Sequence, residues 1–257
     1  MLFDRIKSGY PGADEVFDSI RIGDNVVWQV SDLAEYRLFA LPFAEQAISD
    51  GRNVVYIYFT GSEPLLTARP GLKIYEFDPD VGFEPFTVAI YERITAEGKG
   101  AFYVFDCLSE LQSAWYTDQM MGNFFRVTCP YLYELETVAY FPLIRGRHSF
   151  EAVARIRETT QVLIDIYTAD SSVYIHTLKA QDREGINTYI PHVSVLGGPF
   201  RPLDGGVAVS RYYKLLDDLA ANTQDQNYDS HDRLRGRLPR RLCPSSATTP
   251  SRTTAFS

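Results

Sequence analysis

The segment from residue 23 to residue 60 constrains the fold most, because it alternates strand, turn, helix and strand. Asn25–Val30 and residues 53–59 are largely apolar, as strands buried on both faces are. Between them, Leu38, Leu41, Ala44 and Ile48 recur at helical spacing. We therefore predict a helix over residues 38–49, preceded by a turn over residues 31–37. A crossover helix joins parallel strands, so the segment predicts an α/β protein.

The turn at residues 31–37 has the sequence Ser-Asp-Leu-Ala-Glu-Tyr-Arg, which contains no glycine and no lysine. Turns of this kind that bind nucleotides use glycine N–H groups and a lysine ammonium to surround the phosphates. The segment therefore has the scaffold of a phosphate-binding turn without the residues that bind phosphate.

The rest of the chain continues the α/β pattern. Further strands are predicted over residues 73–77, 101–105, 137–141, 161–168 and 187–195. Helices are predicted over residues 83–97, 118–133 (interrupted near Pro130) and 149–160, the last capped by Ser149. Residues 173–178 alternate and form a hairpin with the 161–168 strand. The predicted fold class is α/β, a mostly parallel sheet flanked by helices, with a C-terminal antiparallel hairpin and a disordered tail.

Composition excludes several classes of protein. The 257 residues contain no apolar run as long as a membrane span, and the N-terminus has no signal pattern, so we expect a cytosolic protein without a membrane segment. Three scattered cysteines favour neither a disulfide framework nor a zinc site. A net charge of −8 disfavours non-specific nucleic-acid binding.

The composition changes near residue 221. Residues 222–257 are rich in Ser, Thr, Arg and Pro, and their six arginines and three aspartates give a net charge of +3. So few aliphatic side chains cannot offset the entropy of ordering the segment. We predict an α/β domain over residues 1–200, a linker or short helix over 201–221, and a disordered basic tail over 222–257. A shifted reading frame would also explain the abrupt change in composition at the tail.

Several motifs together suggest a family. Residues 9–16 (Gly-Tyr-Pro-Gly-Ala-Asp-Glu-Val) and 20–24, just before the first strand, resemble the entry of RecA/KaiC-type ATPase domains. Residues 105–111 resemble the second nucleotide motif of those domains, an apolar strand that ends in Asp106. The resemblance covers roughly residues 2–195 and implies a RecA/KaiC-like fold, with assembly into homo-oligomers as one further implication.

A narrower resemblance involves residues 100–106, 122–125, 129–135 and 155–161. These segments resemble the N-terminal module of phosphoenolpyruvate synthase/pyruvate phosphate dikinase-type proteins. Those proteins do their ATP-dependent phosphotransferase (kinase) chemistry with an ATP-grasp domain, a phosphohistidine domain and a phosphoenolpyruvate-binding barrel, which these residues do not contain. The resemblance thus implies a companion module, whose partner is another protein or fused phosphotransferase domains.

The chain departs from the ATPase pattern where nucleotide would bind. Aligning the Gly-rich loop of the family places Tyr36 and Arg37 at its Lys and Ser/Thr positions. A phenol supplies no cation for phosphate, and a guanidinium does not ligate Mg²⁺. The resemblance therefore implies a degenerate phosphate loop, with residual ATP and Mg²⁺ binding as the alternative. We assign no catalytic residue and no metal ligand.

The weak candidates for a vestigial nucleotide site each have an ordinary alternative. Asp106 is either a Mg²⁺ ligand or a carboxylate that caps residues 108 and 109, and the missing Lys and Ser/Thr favour capping. Glu63 lies where KaiC-like enzymes carry a catalytic carboxylate, but it also fits a solvated turn. Arg145 and Arg147, with the neighbouring His148, form either an anion site or a solvated loop.

Three hypotheses follow. The leading one is a non-catalytic RecA/KaiC-like domain that acts as a regulatory or interaction module. The second is a nucleotide-binding ATPase domain in which Arg37 or Arg145 and Arg147 bind the phosphates and Asp106 holds the metal. The third is a fragment of a multidomain ATP-dependent phosphotransferase. The geometry of residues 31–37 separates the first two, because a turn filled by Tyr36 or Leu33 leaves no room for a diphosphate.

Overall fold

A computed structural model of the chain describes residues 5–111, 115, 117–195 and 197–219. The chain forms two compact units, Met1–Val209 and Ser210–Ser257. The first contains the sheet and every candidate residue, and of the second only residues 210–219, which are helical, are described. The predicted tail at residues 222–257 lies outside the described residues.

The first unit alternates strands and helices, as the sequence predicted. The early strands are β1 (Arg5–Ile6), β2 (Ile20–Arg21), β3 (Asn25–Val30), β4 (Val54–Phe59), β5 (Leu72–Phe77) and β6 (Phe102–Phe105). The later ones are β7 (Val138–Ile144), β8 (Val162–Ala169), β9 (Ser172–Ala180), β10 (His192–Val195) and β11 (Arg201–Pro202). The helices are α1 (Ala13–Val16), α2 (Leu33–Ser49), α3 (Phe83–Glu97), α4 (Asp118–Glu134) and α5 (Phe150–Thr159).

Nine of these strands form one sheet, in the order β11-β10-β9-β8-β3-β7-β6-β4-β5. The strands from β8 to β5 are all parallel, and β9, β10 and β11 extend the sheet in antiparallel fashion. Asp170 and Ser171, both at positive φ, form the two-residue turn between β8 and β9. The predicted mostly parallel sheet and the C-terminal antiparallel hairpin are thus confirmed.

Each face of the sheet has its own hydrophobic core. On one face, α2 packs Phe39 and Phe43 against Trp28 and Tyr140 of the strands. On the other face, α3, α4 and α5 bury a second cluster of side chains, which includes Phe86, Phe124, Phe105, Phe141 and Ile156. Alternate residues of each central strand enter opposite cores, which explains why these strands are apolar along their whole length.

The connections reverse direction between β3 and β7. From β3 the chain crosses by α2 on one face to β4, whereas from β7 it crosses by α5 on the other face to β8. Because β3 and β7 are neighbours, a crevice is expected outside their carboxyl ends, which is where open α/β sheets bind ligands. The fold therefore places the candidate site at this edge.

Three sequence predictions need correction. The helix predicted over residues 38–49 begins at Leu33, because Asp32 caps it by accepting a hydrogen bond from the Glu35 N–H group. Helix α4 continues through Pro130, since its buried residues on either side hold the helix against the sheet. The strand predicted over residues 187–195 is limited to β10.

No helix in the described ranges is long and apolar enough to cross a membrane.

Candidate functional site

The carboxyl ends of four parallel strands bring polar residues together at one edge of the sheet. Residues 31–36, the two-residue connection and the first turn of α2, follow β3, and we call them together the β3–α2 turn; Asp106 follows β6. Arg145 follows β7, and Thr168 lies near the end of β8. These positions are far apart in sequence and meet only because the strands are parallel.

Glu35 fills the mouth of the β3–α2 turn. Its side chain folds back over the helix N-terminus, where Oε2 accepts the N–H of Ser31 at 2.7 Å. The other oxygen, Oε1, accepts the hydroxyl of Thr168 from β8, also at 2.7 Å. Glu35 is only 4% exposed, so its carboxylate occupies the positive end of α2.

Tyr36 fills the interior beneath the same turn. Its ring is fully buried, and its hydroxyl donates to the carbonyl oxygen of Phe105, at the end of β6, over 3.1 Å. Burial raises the pKa of Tyr36 well above its usual value, and the nearby charge of Asp106 raises it further. The phenol therefore stays neutral and joins α2 to β6.

Asp106 is a buried hydrogen-bond acceptor. Its Oδ2 accepts the hydroxyl of Tyr56 at 2.7 Å, and its Oδ1 accepts the N–H of Cys107 at 2.7 Å. The Tyr56 oxygen in turn accepts the N–H of Leu65 at 2.6 Å. Burial raises the pKa of Tyr56, and Asp106 adds to the effect. Asp106 thus accepts the N–H of Cys107, the residue just before the positions 108 and 109 that the capping interpretation named.

Arg145 has its guanidinium bound to the protein itself. Nη2 donates to the carbonyl oxygen of Ile166 at 2.7 Å, and Nη1 donates to the Ser31 hydroxyl at 2.8 Å. The guanidinium also stacks on Tyr167, 3.9 Å from the ring centre, and lies 3.4 Å from Asp165. Burial raises the pKa of Asp165, although Arg145 opposes the shift. Arg145 therefore ties β3 and β8 to the end of β7.

The other candidates do not join this group. Arg37, Glu63 and Arg147 are exposed on the surface. Arg37 lies within α2, because the helix begins earlier than predicted. The structure therefore brings together Tyr36, Asp106 and Arg145 at one edge, but it does not gather the other three predicted residues into a site.

His148 takes part in an arrangement that the sequence did not predict. Its Nδ1 lies 2.6 Å from Oδ1 of Asp118, and its Nε2 lies 2.7 Å from Oγ of Ser109. The Ser109 oxygen also accepts the N–H of Ile144 at 3.0 Å, and Asp118 Oδ2 accepts the N–H of Ser149. We call Ser109, His148 and Asp118 the relay.

The relay has the hydrogen-bond order of a Ser–His–Asp triad. Because Asp118 is an acceptor, the tautomer with its proton on Nδ1 donates from there to Asp118, and its Nε2 accepts the hydrogen bond of the Ser109 hydroxyl. Burial acts to raise the pKa of Asp118, but hydrogen bonds from Ser149 and His148 outweigh it and hold the pKa below its usual value. The carboxylate is therefore ionised at neutral pH.

Access distinguishes the relay from a working triad. Ser109 is 1% exposed, and so is the His148 side chain. A cavity of about 440 Å³ borders the relay, but it is lined by Asp118 and Ser149 together with Gln119, Glu151, Ala152 and Arg155. Solvent thus reaches the carboxylate end while the hydroxyl end is buried. The relay joins the segment after β6, the start of α4 and the β7–α5 loop.

Sequence reasoning missed Glu35, Thr168 and the relay. Ser109 and His148 are separated by 39 residues, and no local spacing marks such a pair. One signal was present, since Asp106, Ser109, Arg145 and His148 all follow apolar strands that end at one edge of a parallel sheet.

Among the described residues, no group of three or more His, Cys, Asp or Glu side chains is arranged to hold a metal ion. No protein-family model matches the chain, and no curated protein matches it.

Proposed function

We propose that the chain is a non-catalytic domain with a RecA/KaiC-like fold that acts as a regulatory or interaction module. The observation that carries the proposal is the filled β3–α2 turn. Glu35 takes the hydrogen-bond donors at its mouth and Tyr36 occupies its interior. Two backbone donors of the kind that bind phosphate, the N–H groups of Ser31 and Glu35, thus already have carboxylate acceptors.

The sheet supports the fold part of the proposal. The strand–turn–helix unit formed by β3 and α2 lies at the reversal point of the sheet, and the strand that ends in Asp106 lies two positions away. The ligand-binding edge expected of such a sheet is therefore present. What differs is that its polar groups bind one another.

The rival nucleotide-binding function is less well supported. It requires Asp106 to hold Mg²⁺, yet both oxygens of this carboxylate accept hydrogen bonds from the protein, and the residue is 1% exposed. It also requires Arg145 to bind phosphate, yet its guanidinium donates to Ser31 and Ile166. Arg37 and Arg147 are exposed on the surface.

The resemblance to phosphoenolpyruvate synthase/pyruvate phosphate dikinase-type proteins suggests the kind of partner. We propose that the domain binds ATP-grasp or phosphohistidine domains, supplied either by the same gene or by a separate protein. Sequencing the gene beyond codon 221 distinguishes the two arrangements, because an in-frame ATP-grasp domain there would identify the chain as part of a longer phosphotransferase.

Calorimetry with Mg·ATP tests the non-catalytic function. We expect no binding tighter than about 100 μM, which corresponds to roughly −5.5 kcal/mol. The matched control is Asp106→Asn, which keeps the shape of the side chain and removes the charge that a metal would need. Binding tighter than that limit in the wild type, lost in Asp106→Asn, would overturn the proposal in favour of an atypical nucleotide site.

A further inference from the structure

Glu35 is a buried carboxylate without a cationic partner in the described parts of the chain. Its two oxygens accept from one backbone N–H group, that of Ser31, and from one hydroxyl, that of Thr168. None of the ion pairs among the described residues includes Glu35. An ionised carboxylate in such a place needs compensation, which the N-terminus of the 17-residue helix α2 supplies.

Local helix capping accounts for only part of this arrangement. In a capping box, the third residue of the helix accepts the N–H of the N-cap residue at an exposed helix end. Asp32 is the N-cap here, but Glu35 accepts the N–H of Ser31, one residue earlier. The bond from Thr168 comes from another strand, 133 residues away in sequence. The carboxylate is thus held by tertiary structure as well as by the helix end.

The donors around Glu35 converge from three strands. Ser31 follows β3, Thr168 lies on β8, and Arg145, at the end of β7, donates from Nη1 to the Ser31 hydroxyl at 2.8 Å. An open depression of about 400 Å³, lined by residues 168–173, gives solvent a path to Thr168. A backbone N–H, a hydroxyl, a nearby guanidinium and a helix N-terminus are the groups that bind oxyanions in proteins.

We infer that the Glu35 carboxylate is a built-in occupant of an oxyanion site, which it closes to phosphate and diphosphate groups by supplying the anion itself. The inference rests on the proposed function, because it explains why a turn at the ligand-binding edge of the sheet binds no nucleotide. It also implies that any change that withdraws Glu35 frees the Ser31 N–H and the Thr168 hydroxyl.

Removing the carboxylate tests the inference directly. Glu35→Ala frees the Ser31 N–H and the Thr168 hydroxyl, so inorganic pyrophosphate should bind at least about tenfold more tightly than to the wild type, in calorimetry at constant ionic strength. Asp32 remains at the same helix end and repels anions. Asp32→Ser keeps a good N-cap, so the double variant should bind more tightly still.

Glu63→Ala is the matched control, because it removes one negative charge from an exposed loop after β4. If Glu63→Ala gained as much affinity for pyrophosphate as Glu35→Ala, the gain would be a general effect of net charge, and the inference would be overturned. Unchanged pyrophosphate binding in folded Glu35→Ala would also overturn it. Glu35→Ser, which is also small, replaces Glu35→Ala if the latter does not fold.

Two further measurements, with Mg·ATP on Glu35→Ala and on the wild type, identify the ligand group and separate the role of Glu35 from the proposed function. Binding of inorganic pyrophosphate and Mg·ATP to Glu35→Ala with similar affinity would show that the site takes the diphosphate group alone. Tight Mg·ATP binding by the wild type would contradict the proposed function itself. Absence of binding by Glu35→Ala, with none by the wild type, would leave the proposed function intact and overturn only the role of Glu35.

Discussion

The β3–α2 turn and the relay lie at the same edge of the sheet but relate differently to the sequence. The turn is one short segment, in the place where a βαβ unit binds ligands, and its own side chains close it. The relay is assembled from three distant segments and has the atoms of a catalytic triad, yet its hydroxyl is buried. One region has the position of a functional site, and the other has the chemistry of one.

The difference teaches that hydrogen-bond partners and solvent access decide function more than residue types do. Buried polar groups bind one another because an unpaired polar group in the interior costs free energy. A ligand site must instead leave donors or acceptors unpaired until the ligand arrives. By this criterion we expect both regions to be structural in the wild type, and the proposal for Glu35 adds that one substitution opens the turn.

The largest expected effect is on stability when the relay is truncated. His148→Ala removes a fully buried ring and leaves the Ser109 hydroxyl and the Asp118 carboxylate without their shared partner. We expect the free energy of unfolding to fall by about 3 kcal/mol, measured by urea denaturation. Tyr36→Phe, which removes the hydrogen bond from the β3–α2 turn to the carbonyl oxygen of Phe105, should cost about 1 kcal/mol.

A double-mutant cycle sharpens this comparison. The costs of Ser109→Ala and His148→Ala should not add, because the second substitution removes a bond that the first has already broken. Equal costs for His148→Ala and Tyr36→Phe, or additive costs in the cycle, would contradict a role for the relay as a clamp between three segments.

The sequence predicted the fold well because its signals are local. The apolar runs of β3 and β4 gave the βαβ unit, and the helix α3 was predicted over its observed bounds. The start of α2 was misplaced, because the prediction depended on apolar spacing and overlooked the capping pair of Asp32 and Glu35. Apolar periodicity marks the buried stripe of a helix, whereas its first turn is defined by capping side chains.

The site was less predictable because its bonds are not local. The sequence named Tyr36, Asp106 and Arg145 as weak candidates for a vestigial nucleotide site, but their hydrogen-bond partners depend on strand order. Thr168 reaches Glu35 only because β8 lies beside β3. Several strand orders agree with the same apolar pattern, so no spacing in the chain reveals that contact.

Two aspartates near the strand ends have opposite pKa shifts. The pKa of Asp118 in the relay is lowered, so its carboxylate stabilises the fold above the unfolded-state pKa of about 3.9 and loses that effect as the pH falls further. The pKa of Asp165, beside Arg145, is raised by burial, so its contribution to stability increases as the pH falls toward the unfolded-state value.

Urea denaturation between about pH 6 and pH 3 measures both effects. The stability difference between wild type and Asp118→Asn should shrink below about pH 4. The difference between wild type and Asp165→Asn should change in the opposite sense, in favour of the wild type at lower pH. Parallel changes for the two variants would show that the carboxylates share one environment and that the distinction between the regions is wrong.

The smallest expected effect is the absence of a reaction. A triad serine reacts with fluorophosphonate probes because its hydroxyl is activated by histidine and open to the reagent. Ser109 satisfies the first condition, with 2.7 Å to His148, but it is 1% exposed and its oxygen already accepts the Ile144 N–H. We therefore expect no labelling of the folded chain, measured by mass spectrometry of the intact protein.

Labelling that disappears in both Ser109→Ala and His148→Ala, with the fold retained, would show that the relay opens in solution. The protein would then be an acyl-transfer enzyme. The turn would still differ from the relay, but the description of the relay as buried and structural would be wrong.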